Sequence, residues 1–462
     1  MEKKYIIGLA AVMTLTLFIF LGVAITDSFK NGKTNSTTKT TNMEATVMAV
    51  EDGKLTVQDS NHIIYTFAID GVQAEVGSNI QIEYTGSLDK NKDIQDSKIV
   101  NYKTSKVSVD EYGISADWLD QGIFSDYYTL AGKKLKEMTM DEKIAQLLLV
   151  RYPDTGAVEA LKKYQFGGYV FFAKDFNGKI KEQVQGMMAE LQDVAKIPIL
   201  TAVDEEGGSV VRISSNPNLR SERFKSSKEL YASGGFEAIK KDTIEKSNLL
   251  SDLGVNVNLA PVVDVSTNSS DYMYGRSFGQ GTELTSTYAK TVIEASKGLG
   301  VSYTMKHFPG YGNNADTHYS GTTDQRTYDD ILKNDLPPFK AGIDAGGEAI
   351  LVSHNTVTSI DASNPASLSP SVHNVLRNEL GFTGIIMTDD LAMGAVSTID
   401  DAVVKAILAG NDIIMVTDYE DAFNSIKKAV EDGTLDENLI EKNAFRILAW
   451  KYAKGLMYQN QK

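Results

Sequence analysis

The chain has 462 residues, of which 42% are hydrophobic and 23% charged, and its formal net charge is −15. This balance predicts a globular protein with a sizeable core, and the negative charge excludes a nucleic-acid partner held by a basic surface. The sequence contains no cysteine, which excludes disulfides, thiolate metal sites and a cysteine lipid anchor.

The first predicted element is a membrane helix over residues 1–26. Lys3 and Lys4 precede an uncharged run, residues 5–26, that is long enough to span a bilayer. The positive flank stays inside, so we expect a single-pass protein of the cell membrane with its body on the extracytoplasmic face, or a secreted protein if the segment is cleaved. Residues 27–43, rich in Thr, Ser, Asn and Lys, are interpreted as a flexible stalk.

Residues 44–103 follow as a small all-β domain. Short alternating apolar runs predict five strands, and turn signals such as Asp52-Gly53 separate them, a pattern typical of an OB-like β-barrel. The domain contains no catalytic constellation, and its role as a spacer, a wall-binding module or a partner contact stays open. Residues 104–125 are interpreted as a linker.

Residues 126–462 are predicted to form the main domain. Apolar strands that alternate with helical segments indicate an α/β fold with a parallel sheet, and eight such units favour a (β/α)₈ TIM-like barrel. The last segment, residues 437–456, has apolar residues at helical spacing and is predicted to be the closing helix. The predicted strands are 147–151, 168–173, 199–204, 257–262, 302–307, 349–354, 384–389 and 412–418.

Chemistry-bearing residues follow four of these strands, at the ends where barrels of this kind carry their active sites. Asp316 and His318 lie on the loop after the fifth strand, and their spacing places both side chains on one side of an extended chain. A carboxylate that accepts from the imidazole fixes its tautomer, so the pair is a candidate general acid/base; the alternative is two loop residues that meet only solvent. The strand-end runs are Asp204-Glu205-Glu206, Lys306-His307, Ser353-His354-Asn355 and Thr388-Asp389-Asp390.

Several motifs resemble the β-N-acetylhexosaminidase branch of glycoside hydrolase family 3. The resemblance runs in order from about residue 135 to about residue 458, and it departs from the family pattern at Tyr311, where many relatives have histidine. The loop after Gly312 is also shorter than in many relatives. The matching segments are 202–212 (AVDEEGGSVVR), 258–265 (NLAPVVDV), 275–279 (GRSFG), 306–312 (KHFPGYG), 316–318 (DTH) and 386–393 (IMTDDLAM).

The resemblance implies a role for each matching residue. Asp389 is implied to be the nucleophile, and His318 the general acid/base, oriented by Asp316. No cofactor and no metal are implied, and Asp390 is interpreted as a cap on the following helix. The residues implied to bind the sugar are Asp204, Arg212, Arg276, Lys306 and His307.

The resemblance also implies the reaction, removal of terminal β-linked N-acetylglucosamine (GlcNAc) with retention. Together with the expected extracytoplasmic location, it predicts peptidoglycan fragments or chitobiose-like glycans as the substrate. Three alternatives stay open. A phosphorylase would use phosphate in place of water, because a neutral histidine does not repel phosphate. A non-catalytic cell-wall-binding protein would bind the sugar without turnover. A metal-dependent hydrolase would use Asp204, His307, His318, His354 and Asp389, but no His-x-His follows the first strand. The oligomeric state is left open.

Overall fold

The structure, a computed structural model, describes residues 39–51, 53–312, 314, 316–317 and 321–458. The predicted membrane helix, most of the predicted stalk and His318 lie outside these residues. Over the described ranges, no helix has both the length and the apolar character needed to cross a bilayer. Thr40–Lys462 form one compact unit.

The chain first forms a five-stranded antiparallel sheet in the order β3-β2-β1-β4-β5. Its inner face buries a small core that includes Val47, Leu55 and Phe67, one from each of the first three strands. The strands are β1 (Thr40–Glu51), β2 (Lys54–Asp59), β3 (Ile64–Ala68), β4 (Asn79–Thr85) and β5 (Lys98–Ser105).

The start of β1 corrects the predicted stalk, which extended to residue 43. Thr40 already pairs with Thr85, and Met43 pairs with Ile82, both in β4. These first residues of β1 are largely exposed and mostly polar, so they are held by backbone hydrogen bonds and show no hydrophobic alternation.

The main domain is a parallel eight-stranded sheet in the order β14-β12-β10-β9-β8-β7-β6-β15. The amide of Thr388 in β14 donates to the carbonyl of Ile413, next to β15, at 3.1 Å, which nearly closes the sheet into a barrel. All eight predicted strands are confirmed, and the α/β TIM-like barrel with them; β11 and β13 form a separate pair. The strands are β6 (Leu148–Arg151), β7 (Gly168–Phe171), β8 (Leu200–Val203), β9 (Val257–Asn258), β10 (Ser302–Phe308), β11 (Thr323–Asp324), β12 (Ala349–Val352), β13 (Thr356–Val357), β14 (Ile385–Thr388) and β15 (Ile414–Val416).

Helices connect the barrel strands. The helix Ser227–Asp252 contains a non-helical kink at Gly234 and Gly235. The helices are α1 (Tyr128–Lys136), α2 (Met140–Gln146), α3 (Ala157–Tyr164), α4 (Ala173–Phe176), α5 (Lys181–Val194), α6 (Ser227–Asp252), α7 (Thr282–Ser296), α8 (Tyr328–Asn334), α9 (Leu336–Asp344), α10 (Pro370–Asn374) with a π-helical turn over Val375–Glu379, α11 (Ala402–Ala409), α12 (Tyr419–Glu431) and the closing helix α13 (Glu437–Ala453).

The five-stranded sheet packs on the barrel at the end opposite the strand carboxyl ends. Lys133 of α1 donates to Thr46 Oγ1 of β1 at 2.9 Å. A cleft of about 340 Å³ between the two parts is lined by Lys196 and Pro198, which directly precede β8. The predicted linker is docked rather than free, because Trp118 is buried against the ring of Phe445 in α13, at a centroid distance of 6.0 Å.

Candidate active site

A network of charged side chains joins the carboxyl ends of β8 and β10. Lys306 Nζ lies 2.7 Å from Asp204 Oδ1 and 2.7 Å from Glu206 Oε1. Arg212 Nη2 lies 2.9 Å from the second oxygen of Asp204. Arg276 donates Nη2 and Nε to the two oxygens of Glu206, at 2.6 and 3.1 Å. Three cations therefore share two carboxylates, and each charge has a direct partner.

The cations keep both carboxylates ionised. Burial acts to raise the pKa of Glu206, but the charges of Lys306 and Arg276 outweigh it and lower that pKa to about 2. Burial is likewise outweighed at Asp204, where Lys306 and Arg212 hold the pKa well below its usual range. In return, the two carboxylates outweigh burial at Lys306 and raise its pKa. The network therefore presents fixed donors and acceptors to a polar ligand near neutral pH.

His307 is oriented by Asp264, which lies beyond the end of β9. His307 Nδ1 lies 2.7 Å from Asp264 Oδ2, and the amide of Tyr311 donates to Asp264 Oδ1 at 2.7 Å. On the other side of the imidazole, Arg276 Nη2 lies 3.4 Å from Nε2. Because a carboxylate only accepts and a guanidinium only donates, these contacts fit the neutral tautomer with its proton on Nδ1. The peptide bond between Lys306 and His307 is cis.

Glu205 shapes the loop that carries Arg212. Its buried carboxylate accepts the amides of Arg212 and Ile213 at 2.7 Å each and the amide of Ser214 at 3.2 Å. A buried carboxylate satisfied by backbone donors folds this loop back onto the end of β8, where the guanidinium of Arg212 meets Asp204. Glu205 therefore holds the loop in place, whereas its sequence neighbours Asp204 and Glu206 belong to the charged network.

Asp389 follows β14 and has no cation beside it. Its amide donates to the carbonyl of Val352 in β12 at 3.1 Å, which fixes its position on the rim. Its half-buried side chain accepts only the amide of Asp390, at 2.9 Å, and forms no ion pair within the part of the chain that the structure describes. A carboxylate at the mouth of a barrel that accepts one backbone amide and pairs with no cation is available to react with an electrophile.

Asp390 and His354 support the backbone beside Asp389. Asp390 Oδ2 accepts from Thr417 Oγ1 at 3.1 Å, and His354 Nε2 lies 3.1 Å from the carbonyl oxygen of Asp390. Burial, and then the charge of Asp389, raises the pKa of Asp390. The structure therefore makes Asp390 and His354 positioning residues for the nucleophile candidate.

The predicted helix cap at Asp390 is wrong. Turns occupy residues 391–400, and the next helix, α11, begins at Ala402. Asp390 Oδ1 instead accepts the amide of Ala392 at 2.9 Å and closes a turn. An aspartate that closes such a turn has the same sequence pattern as one that caps a helix, because both accept an amide two residues ahead.

The loop after β10 is closed on itself and bonded to the loop after Asp389. The hydroxyl of Tyr311 accepts the amide of Thr317 at 2.9 Å and lies 3.0 Å from Thr317 Oγ1. The amide of Ala395 donates to the carbonyl of Thr317 at 3.2 Å. Residue 317 is thereby held against the segment that follows the nucleophile candidate.

Asp316 is half-buried and lies beside Tyr272, in the turn Tyr272–Gly275. The pKa of Tyr272 is raised to about 12, first by burial and then by the charge of Asp316, to which its hydroxyl is hydrogen-bonded. The predicted partner of Asp316, His318, lies outside the described residues, so the geometry of the pair stays a prediction.

The base of this loop is anchored by Arg326. Its guanidinium lies 2.7 Å from Asp324 Oδ2 and 2.7 Å from Asp335 Oδ2. Gly312 has φ +60° and packs on Arg326, and a Cβ at Gly312 would come within 2.8 Å of the guanidinium. At this position only glycine fits both the backbone conformation and the close approach.

The structure joins all five predicted sugar-binding residues in one connected rim network and places Asp389 on the same rim. Sequence reasoning gave no individual role to Glu206, Asp264 or Tyr272. Glu206 follows Asp204 by two residues, so both side chains lie on one side of an extended chain, and this signal was available. Asp264 is a single acid at the end of an apolar run, a second usable signal. Among the described residues, no three His, Cys, Asp or Glu side chains are grouped to hold a metal ion.

Comparison with protein families gives one match over most of the barrel. Residues 139–450 match the model described as the glycosyl hydrolase family 3 N terminal domain. The matched range begins after the five-stranded sheet, which it leaves out, and ends inside α13. It contains every residue of the rim network and Asp389.

Comparison with curated proteins and solved structures gives similar relatives. The chain is 29% identical to the beta-hexosaminidase LpqI of Mycobacterium tuberculosis (strain ATCC 25618 / H37Rv) over 328 residues, 67% of this chain and 82% of that protein. It is 30% identical to a beta-hexosaminidase of Xanthomonas campestris pv. campestris (strain B100) over 276 residues, 58% of this chain and 82% of the relative. A glycoside hydrolase family 3 beta-N-acetylglucosaminidase from Paenibacillus sp. str. FPU-7 superposes with a TM-score of 0.65 at 29% identity, covering 69% of this chain and 63% of that one.

Proposed function

This chain belongs to glycosyl hydrolase family 3, and on that premise we propose that it is a retaining, exo-acting β-N-acetylglucosaminidase. Family membership makes it a glycoside hydrolase, and the names of its relatives favour terminal β-linked GlcNAc as the sugar removed. The fold and the rim network are compatible with such a ligand, because pyranose hydroxyls are read by paired charged donors and acceptors.

Asp389 is the proposed nucleophile. Its carboxylate attacks the anomeric carbon as the glycosidic bond breaks, and a covalent glycosyl-enzyme forms. Water then displaces Asp389 from the same face as the departed group, so the configuration is retained. The proposal is supported by the half-buried state of Asp389, which has no cation partner among the described residues, whereas Asp204 and Glu206 are paired with cations.

His318 is the proposed general acid/base, oriented by Asp316. It gives its proton to the leaving oxygen in the first step and takes one from water in the second. A histidine suits both tasks because its ordinary pKa is about 6.5, close to neutral pH.

One observation carries this assignment: the hydrogen bond from the Ala395 amide to the Thr317 carbonyl, 3.2 Å long. It links the loop that contains Asp316 and His318 to the loop that follows Asp389. An acid/base and a nucleophile on separate loops can act on one glycosidic bond only if those loops are held together.

Asp204, Arg212, Arg276, Lys306 and His307 are proposed to bind the sugar that is removed. Lys306 and Arg276 only donate hydrogen bonds, whereas Asp204 and the partner carboxylate Glu206 accept them. Neutral GlcNAc offers hydroxyls of both kinds. We further propose a membrane-anchored or secreted location, which the N-terminal sequence supports. We also propose peptidoglycan fragments as the natural substrate, because they contain GlcNAc and occur at that location.

The test uses the full chain with 4-nitrophenyl β-N-acetylglucosaminide. We expect turnover that falls at least about 10⁴-fold in Asp389→Ala, with azide restoring 4-nitrophenol release from the variant as an α-glycosyl azide forms. Asp421→Ala, which removes an exposed carboxylate after β15, is the matched control. Turnover that survives in Asp389→Ala would contradict the assignment, and turnover that depends on phosphate and yields sugar 1-phosphate would identify a phosphorylase.

A further inference from the structure

Lys246 is a buried charge on the face of α6 that packs on the barrel. The buried residues of this face include Ile239, Thr243, Lys246 and Leu250, which follow one another at helical spacing. Isoleucine and leucine are ordinary at such positions, whereas an ammonium that loses its hydration costs free energy unless protein groups replace the water. Lys246 is only 6% exposed, so its partners determine whether this charge is tolerated.

The ammonium of Lys246 reaches from α6 to the turn after β8. Its Nζ lies 3.1 Å from Asp242 Oδ2, one turn earlier in the same helix, and donates to the backbone carbonyl of Glu206 at 3.4 Å. It also lies 4.9 Å from the centre of the Phe224 ring. Burial acts to lower the pKa of Lys246, but the charge of Asp242 outweighs it and raises that pKa. Lys246 therefore brings a positive charge to the backbone beside the sugar network.

Glu206 is held on both sides of its backbone. Its amide donates to the carbonyl of Val210 at 3.0 Å, and its carbonyl accepts from Lys246. Gly207, which follows, has φ +99°, a conformation that glycine adopts without strain. Because glycine also leaves the backbone freer to move, the orientation of Glu206 depends on contacts from outside the turn. Lys246 supplies such a contact from α6.

A small cavity lies between α6 and the sugar network. Its volume is about 20 Å³, and the residues that line it include Glu206, Asp242, Lys246 and Tyr288. Without the ammonium of Lys246, the carboxylate of Asp242 would be left unpaired at this cavity, and the space behind Glu206 would grow. Both changes would allow Glu206 to shift relative to Arg276.

We propose that Lys246 is a positioning residue for the sugar site, which acts by holding the backbone of Glu206. The carboxylate of Glu206 in turn orients Arg276 and Lys306, at 2.6 and 2.7 Å. Lys246 lies behind Glu206 and influences the ligand only through it. The inference rests on the proposed function, in which Arg276 and Lys306 bind the GlcNAc that is removed.

The structure offers a competing role, in which the pair of Lys246 and Asp242 only stabilises one turn of α6. Replacement of Lys246 would then lower the free energy of unfolding and leave the affinity of the folded protein for the sugar unchanged. The two roles also differ in their coupling to Glu206. Two residues that act through one contact have non-additive effects, whereas a stabilising pair remote from the ligand contributes independently.

The test measures the Kd of the full chain for a hydroximolactone derived from GlcNAc, by titration calorimetry, in which an unfolded fraction changes the stoichiometry and not the Kd. In Lys246→Met we expect the Kd to rise about tenfold. Lys246→Arg, which keeps a cation, should restore part of the affinity. In the Glu206→Gln background, the same Lys246→Met change should alter the Kd less than about twofold. Lys240→Met, which removes an exposed lysine of the same helix, is the control and should leave the Kd unchanged.

The outcomes are distinguishable. A Kd in Lys246→Met within about twofold of that of the unchanged protein would overturn the inference, and so would an equal rise of the Kd in the Glu206→Gln background. If Lys246→Met does not fold, Lys246→Gln takes its place under the same two criteria. If the unchanged protein neither binds the hydroximolactone nor releases 4-nitrophenol from the GlcNAc glycoside, the proposed function itself is wrong and the inference fails with it.

Discussion

The two ends of the barrel bury charged side chains in different ways. At the amino-terminal end, Asp412 precedes β15 and binds Arg377 at 2.6 Å and Arg446 at 2.9 Å, and its carboxylate also accepts the amide of Ile386. Lys451 of α13 is buried there and donates to Gln146 and Gly167. At the carboxyl-terminal end, the rim network is also largely buried, but it borders Asp389, a carboxylate with no counterion among the described residues.

This difference shows what distinguishes a candidate active site from a structural ion pair. Buried pairs occur at both ends and shift pKa values at both ends, so neither burial nor a shifted pKa locates the chemistry. The rim adds Asp389, a half-buried carboxylate that follows a strand end and has no cation partner among the described residues. A carboxylate left in this way costs stability unless a ligand uses it, which is the ground for assigning it to substrate.

The largest expected effect at the rim comes from Lys306→Met. The change removes the cation that bridges Asp204 and Glu206, so two buried carboxylates would face each other, and we expect kcat/KM to fall about 10³-fold or more. Activity on the 4-nitrophenyl glycoside and circular dichroism measure the result. Lys143→Met, which breaks a Lys–Glu pair outside the rim, is the control. A loss of kcat/KM smaller than about tenfold would contradict the assignment of Lys306 to the proposed sugar site.

The matching change at the other end is Asp412→Ala. It leaves Arg377 and Arg446 without their shared carboxylate, so we expect the free energy of unfolding to fall by about 3–5 kcal/mol. The folded protein should keep its kcat/KM, because this end of the barrel does not contact substrate. Urea denaturation and kinetics on the same sample check both parts. A large loss of kcat/KM with unchanged stability would contradict the contrast between the two ends.

Lys451 adds a pH dependence to the amino-terminal end. Burial lowers its pKa from 10.5 to about 7. Between these values the unfolded chain holds a proton that the folded protein has released, so stability should rise with pH, by at most about 1.4 kcal/mol per unit. Lys451→Met should flatten the rise between about pH 7.5 and 9.5, measured by denaturant unfolding. Lys442→Met changes a half-exposed lysine on the same helix, and we expect it to leave the rise of stability with pH unchanged.

The smallest expected effect concerns the loop after β10. Tyr311→Phe removes the hydroxyl that binds the amide and side chain of Thr317, so the loop loses part of its closure. We expect kcat/KM to fall about tenfold with little change in stability, since one hydrogen bond contributes about 1 kcal/mol. Tyr164→Phe, which removes a hydroxyl outside the rim network, serves as control. Equal kinetics in both variants would show that loop closure does not limit turnover.

The barrel was predictable from sequence because its strands are buried on both faces and form continuous apolar runs. Except for β10, the predicted strands were too long at their ends, since residues such as Asp204 and Asp389 turn away from the ladder into the rim. Exposed elements were harder to predict from the sequence. The first residues of β1 are held mainly by backbone hydrogen bonds, with Met43 packed against the small core, and the first part of α6 lies before a glycine pair that interrupts the helical pattern.

The site was predictable where motifs are long, and less so elsewhere. Asp204, Lys306 and His307 were predicted together, and contacts join them. Asp264 was marked only by its place after an apolar run, and Tyr272 by no pattern at all, so neither was given a role. Their significance depends on whether a partner lies across the rim, and that is decided by residues far away in sequence.

The most direct test of the central claim is to trap the glycosyl-enzyme. The full chain would be treated with a 5-fluoro analogue of an N-acetylglucosaminyl fluoride, digested and sequenced by mass spectrometry. The account predicts one sugar adduct, on the carboxylate of Asp389, and none in Asp389→Ala. An adduct on another residue, or turnover of the analogue that inverts its configuration, would contradict the assignment of Asp389 as the nucleophile of a retaining reaction.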